Sequence, residues 1–277
     1  MDILRALVLG IVQGLTEFLP VSSSGHLVIF QQLILPFDDS SYELLFGVTV
    51  HFGTLLAVVM FFFNDIKRLF ISFFSKLRNP SAIPEAFQSD MYFRISIYIL
   101  VSTLITGVVG LYFKDRVESF FSSPSLVAGC LIITGILLII AERFTKQSKT
   151  LDSFRLKDAL LLGIFQSIAL LPGISRSGMT ISVAIMLGFI QKDAARYSFL
   201  LAVPVICGAF LLEIIYCITF GFSVTWVAPL SVGLVSAAVS GVIAIKLILL
   251  VLRKKKLYVF SIYCWALAGL LLLLLNK

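Results

Sequence analysis

The chain has 277 residues, 59% of them hydrophobic and 13% charged, with a mean hydropathy of +1.05. That composition excludes a soluble domain of this length and points to an all-α polytopic membrane protein. The net charge of +7 gathers in short loops between apolar runs. It reads as the cytoplasmic bias of an inner-membrane protein and excludes nucleic acid as the expected partner.

The first predicted element, residues 3–35, is long enough to enter a bilayer but is broken by PVSSSG at 20–25. The pieces on either side are mostly too short to span, so a re-entrant helix-turn-helix hairpin is expected. Its start does not read as a convincing signal peptide, because the charged end is weak, no cleavage site follows and Glu17 interrupts it. A crossing at about 42–63 follows, then a 64–92 loop with Lys67, Arg68, Lys76 and Arg78. Crossings at 93–113 and 125–142 flank a loop in which Lys114 and Arg116 balance Asp115 and Glu118. The 143–158 loop carries Arg143, Lys146, Lys149, Arg155 and Lys157. Residues 159–190 form a second expected hairpin, broken by LPGISRSG. Crossings at 198–219, 229–251 and 257–275 complete the chain, with an uncharged 220–228 loop and an LRKKK turn at 252–256.

The reading is therefore six transmembrane helices plus two hairpins in a single membrane domain, 1–277. The three basic loops belong in the cytoplasm, and the 114–124 and 220–228 loops outside. Threaded this way, the first hairpin enters from outside and the second from the cytoplasm, with both termini outside. Cys130, Cys207, Cys217 and Cys264 are scattered through apolar stretches without metal spacing, so they read as packing residues. The phenylalanines of FFFND at 61–65 read as lipid-facing and interfacial.

The hairpins match each other. GIVQGLTEFLPVSSSG overlays GIFQSIALLPGISRSG at an ungapped offset of 153, pairing Gln13 with Gln166, Ser22 with Ser175, Ser24 with Ser177 and Gly25 with Gly178. Three crossings lie between them, an odd number, so the second copy is inverted. Repeat one is about 1–142 and repeat two about 154–277. In such architectures sites form at broken helices near the midplane, so the two polar turns are expected to meet.

The first turn brings Gln13, Glu17, Ser22, Ser23, Ser24 and His26; the second brings Ser175, Arg176, Ser177 and Thr180. At the matched positions Arg176 replaces Ser23 and Leu170 faces Glu17, so one half is acidic and the other basic. Ionisable groups within a membrane default to function, which favours Glu17, His26 and Arg176. Serines in membrane helices often only bond backbone carbonyls or permit close packing, so each serine taken alone is ambiguous. Helix starts after each turn, the hydroxyls of Ser22, Ser24, Ser175, Ser177 and Thr180, glycines at Gly25 and Gly178, and a forked guanidinium form an expected phosphate cradle. A carboxylate beside phosphate calls for a hard cation, held by Glu17 with Gln13. Ser23 is the preferred nucleophile, with His26 as base and later acid; His26 as nucleophile, or activating water, is the alternative. His51 reads slightly better as a carbonyl-bonded residue than as a cavity lining, and Glu213, within the fourth crossing, is left open between pairing with the interior and sitting near the outer surface.

EFLPVSSSGH after Gln13, together with LPGISRSGMT, closely resembles the two signature motifs of the undecaprenyl-diphosphatase family of the bacitracin-resistance type. SFLLAVP and GTLLAVVMFF also look like that family, and the resemblance runs along essentially the whole chain. It implies an integral inner-membrane hydrolase that removes the terminal phosphate of undecaprenyl diphosphate, recycling the lipid carrier for cell-wall synthesis. It also implies a divalent cation, Mg2+ or Ca2+, action on the outer face, a homodimer, and essential roles for Glu17, His26 and Arg176. The family writes its first motif as Glu or Gln, three residues, then Glu; Gln13 leaves one carboxylate where others have two. It often carries Glu and Gln where this chain has Gly47 and His51, so no role transfers to those positions. The rival readings are a lipid flippase or secondary transporter, and a non-catalytic lipid-binding scaffold.

Overall fold

The computed structural model describes residues 3–30, 40–144, 146–220 and 224–275. The side chain of Glu213, and residues 31–39 of the first expected hairpin, lie outside the described residues. Among the described residues the fold is helical, with only an isolated bridge between Lys149 and Phe189.

Helices α1 (Ile3–Phe18) and α2 (Ser23–Ile29) form the first hairpin around the PVSSSG break. Helix α3 (Ser40–Phe61) follows and turns by 85° into α4 (Phe63–Leu77). Then come α5 (Ile83–Ser89), α6 (Met91–Tyr112), the short α7 (Lys114–Phe121) and α8 (Pro124–Glu142). The second hairpin is α9 (Leu156–Ile168) with α10 (Arg176–Met186). Helices α11 (Gln191–Phe220), α12 (Val227–Arg253) and α13 (Tyr258–Leu275) close the chain. Five helices are long and apolar enough to cross a membrane, and a sixth span is reached if the bent α3–α4 pair counts as one. Leu104, Leu111, Val239 and Leu273 are exposed on these helices. Such exposed apolar side chains along helices long enough to cross a bilayer fit a lipid surrounding.

Two expected loops are helical. Helix α4 places Ile66, Leu69, Phe70, Phe73, Phe74 and Leu77 three and four residues apart, an amphipathic pattern that the lysines and arginines between them masked. It is anchored at its start, where Arg196 of α11 grips Asp65 with Nε at 2.9 Å. The FFFND run does not face lipid throughout: Phe62 is buried and packs on Phe199, with ring centroids 5.9 Å apart, while Phe63 is exposed.

The hairpins seat their first helices against different crossings. Helix α1 lies along α12, and α9 lies along α6. The approach is close because small residues face each other. A Cβ on Gly10 or Gly14 would collide with Ser236, Ser240 and the backbone of α12. At the α9–α6 contact, Ser102 donates to the Ala159 carbonyl at 2.8 Å and Thr106 to the Gly163 carbonyl at 3.3 Å. Without a hydrophobic drive between helices in lipid, such packing and hydrogen bonds hold them together.

Candidate active site

The two turns use the same device. Ser22 caps α2 by accepting from the Gly25 N–H at 3.2 Å, and Ser175 caps α10 by accepting from the Gly178 N–H at 3.0 Å. In each, the capping hydroxyl also pairs with the next-but-one serine at 3.2 Å, Ser22 with Ser24 and Ser175 with Ser177. The reversals differ. The second turn puts Gly173 at φ +96°, which glycine adopts freely, whereas the first places Ser22 itself at φ +66°.

The turns touch, as the repeat leads one to expect. Ser177 donates to the Leu19 carbonyl at 3.1 Å, and a Cβ on Gly25 would come within 3.3 Å of Gly173 Cα. A Cβ on Gly178 would come within 3.2 Å of Pro20. Gly25 and Gly178 therefore let one turn approach the other. Helix α8 pins the second turn: Thr134 Oγ1 donates to the Gly173 carbonyl at 3.0 Å and accepts from the Ser175 N–H at 3.1 Å.

Glu17 is the centre of the cluster. Its Oε1 accepts from Arg176 Nη2 at 2.5 Å. Its Oε2 accepts from Ser23 Oγ at 2.6 Å and from Gln13 Nε2 at 2.8 Å, with His51 Nε2 at 3.7 Å. The Glu17 side chain is 6% exposed, Arg176 17% and His51 33%. A buried carboxylate is tolerated because a guanidinium and hydroxyl and amide donors surround it.

The predicted phosphate ligands divide into two groups. Ser22, Ser175, Ser177 and Thr180 are almost fully buried, and their hydroxyls are engaged within the protein. Thr180 donates to the Arg176 carbonyl at 2.9 Å and pairs with Ser198 at 2.6 Å, so it sets the start of α10. Ser23 and Ser24 stay partly exposed. The polar groups around Glu17 with access to a ligand are thus Ser23, Ser24, Arg176 and His51.

His26 is placed elsewhere. Its Nδ1 lies 2.8 Å from the Ser22 carbonyl, which can only accept, so Nδ1 carries a proton. Its Nε2 lies 2.7 Å from the Tyr263 hydroxyl, and the two rings stack with centroids 5.6 Å apart. The expected Ser23–His26 pair is therefore corrected: the proton acceptor for Ser23 is Glu17.

A hard cation needs oxygen ligands. Those at hand are Glu17 Oε2 and Gln13 Oε1, the latter buried without a partner among the described residues. Gln166 Oε1 is likewise unpartnered but has Leu170 where Gln13 has Glu17. No group of three His, Cys, Asp or Glu suited to a metal occurs among the described residues. These are at most two oxygens, and Glu17 Oε2 already accepts from Ser23 and Gln13, so a cation held here would draw its other ligands from phosphate and water.

A family model described as bacitracin resistance protein BacA matches residues 6–270. The chain belongs to the BacA family. An undecaprenyl-diphosphatase of Halothermothrix orenii is 40% identical over 276 residues, covering 99% of this chain and 98% of the relative. One of Methanobrevibacter smithii is 39% identical over 270 residues, covering 96% and 95%. Undecaprenyl-diphosphatase 2 of Halalkalibacterium halodurans is 39% identical over 271 residues, covering 97% and 94%.

In this BacA-family chain, sequence reasoning missed three site neighbours. His51 bonds the Gly47 carbonyl at 2.7 Å, as expected, yet its other ring nitrogen reaches Glu17. Tyr263 and Thr134 sit singly in apolar helices, where nothing local marks them out. His51 lies four residues from Gly47 inside the apolar helix α3, and its own polarity there was the one available signal.

Proposed function

We propose that this chain hydrolyses undecaprenyl diphosphate to undecaprenyl phosphate and inorganic phosphate, with Ser23 as nucleophile and Glu17 as its base. Full-length similarity to undecaprenyl-diphosphatases supports the activity. The observation that carries the mechanism is the shared carboxylate, with Ser23 on one oxygen and Arg176 on the other.

Ser23 Oγ attacks the terminal phosphorus while its proton passes to Glu17 Oε2. The bond from that phosphorus to the bridging oxygen breaks, and undecaprenyl phosphate departs, taking the proton from Glu17. Water then attacks the phosphoserine and gives a proton to Glu17. Glu17 returns it to Ser23 Oγ as inorganic phosphate leaves, so atoms and charge balance over the cycle. Arg176 keeps N–H groups beyond those facing Glu17, and these neutralise the equatorial oxygens in the transition state. His26 holds the Ser22 carbonyl and so steadies the strained cap beside Ser23; both its ring nitrogens are occupied, which disfavours it as nucleophile. Gln13 and Glu17 would hold a divalent cation, Mg2+ or Ca2+, which when bound supplies charge neutralisation on the diphosphate.

The same reading places the protein in the inner membrane with the site open to the outer face and both termini outside. The distribution of lysine and arginine supports this orientation. The swapped seating of α1 on α12 and α9 on α6, with the offset of 153, supports an inverted repeat of six crossings and two re-entrant hairpins. A homodimer rests on the family resemblance alone.

The test is phosphate release by purified protein from a C55 or shorter polyprenyl diphosphate with Mg2+ or Ca2+ present. Turnover is expected; none under either ion contradicts the reading.

A further inference from the structure

A second cavity, of about 700 Å³, lies between the α3–α4 bend, the start of α11 and the end of α12. No residue of the Glu17 cluster lines it. Phenylalanines stand between the two places: Phe62 lines the cavity and packs on Phe199, which meets Phe18, the neighbour of Glu17, at 5.5 Å. The cavity sits beside the LRKKK turn, at the end of the molecule that the basic loops mark as cytoplasmic.

Its lining has two parts. Phe61, Phe62, Leu249 and Leu252 supply an apolar wall. Cationic side chains supply the rim, and their pairing separates structural from available charge. Arg196 is consumed by Asp65, the one carboxylate among the described residues lining the cavity. Lys192, Arg253 and Lys255 are exposed and have no acidic partner among the described residues. Three uncompensated positive charges thus rim a concave apolar wall. A positive-inside bias alone requires lysines somewhere near the interface, not their convergence on a cavity. Beside the wall, the Asp65–Arg196 pair ties the start of α4 to α11 next to the 85° bend.

A ligand that satisfies both parts has an anionic head and a hydrocarbon chain at one depth in the membrane. Basic pockets between helices on the cytoplasmic side suit phosphate-bearing lipid headgroups. We propose that this cavity is a binding site for an anionic glycerophospholipid of the inner leaflet. Its phosphodiester sits among Lys192, Arg253 and Lys255, and an acyl chain lies along Phe61 and Leu249. The site is separate from catalysis and does not depend on the Ser23–Glu17 reading.

The experiment is native mass spectrometry of the full-length protein, delipidated in detergent and titrated with phosphatidylglycerol or phosphatidylcholine. One phosphatidylglycerol is expected to bind at least tenfold more tightly than phosphatidylcholine. The triple variant Lys192→Gln, Arg253→Gln, Lys255→Gln is expected to lose that preference, while phosphate release from a soluble short-chain substrate stays within twofold. A matched variant, Lys67→Gln, Lys76→Gln, Arg78→Gln, removes the same charge from α4 and is expected to bind as the parent does. The single reversal Lys255→Glu, expected to weaken binding at least tenfold, serves if the triple variant fails to fold. Equal loss in both triple variants would overturn the site in favour of diffuse attraction. So would no preference for phosphatidylglycerol, or a polyprenyl monophosphate taking the site that phosphatidylglycerol cannot.

Discussion

The two hairpin turns are built alike and do different work. Both cap a helix with a serine that accepts from a glycine N–H three residues on, and both pair that serine with a second one at 3.2 Å. The position after the cap separates them: Ser23 in the first, Arg176 in the second. Each of these two side chains reaches the same carboxylate, Glu17, whose counterpart is Leu170. On the proposed reading, duplication supplied the frame, and Ser23, Glu17 and Arg176, unlike their matched residues, supply a nucleophile, a base and a cation. Ser22, Ser175 and Ser177 are buried and belong to that frame, whereas Ser24 stays partly exposed.

Breaking the unlike positions should cost most. Ser23→Ala should reduce phosphate release by roughly 10³-fold or more, to background, with the thermal midpoint little changed, as measured by initial rates and unfolding curves. Arg176→Lys keeps the charge but loses the fork, and is expected to lower kcat by about 10²-fold, read from steady-state kinetics. A turnover near that of the parent would show that charge alone suffices. His51→Asn keeps a polar group but removes a neighbour 3.7 Å from Glu17. At a third exposed it should cost about fivefold in kcat/KM, measured with a short-chain substrate.

The like positions sharpen the comparison from the other side. Ser175→Ala removes a cap in relaxed backbone and should cost about 1 kcal/mol in stability. Ser22→Gly removes the equivalent cap but also relieves a side chain at φ +66°, so it should cost only a few tenths of a kcal/mol. Chemical denaturation of the two variants in one detergent checks the difference.

Much of this was legible in the sequence. The breaks at PVSSSG and LPGISRSG, the ungapped offset and the acidic–basic divergence led to the meeting of the two turns, but with Arg176 on phosphate and Glu17 on a cation rather than on each other. What was not legible depends on contacts between distant helices. Ser23 finds its acceptor in Glu17 because α1 ends beside the start of α2, whereas His26, three residues further on, faces Tyr263 across 237 residues of chain. The division of serines into caps and ligands was partly readable, since Ser22–Gly25 and Ser175–Gly178 share the spacing of a cap and its N–H. Helix α4 was missed because its charges were weighed before its apolar periodicity.

The account turns on Ser23 as the group that takes the phosphoryl. Rapid acid and base quenches of the enzyme with substrate, followed by peptide mass spectrometry, test it most directly. A phosphate on Ser23 that forms and decays at the rate of turnover is the predicted result. A base-stable, acid-labile phosphate on His26, or full turnover by Ser23→Ala, would contradict it.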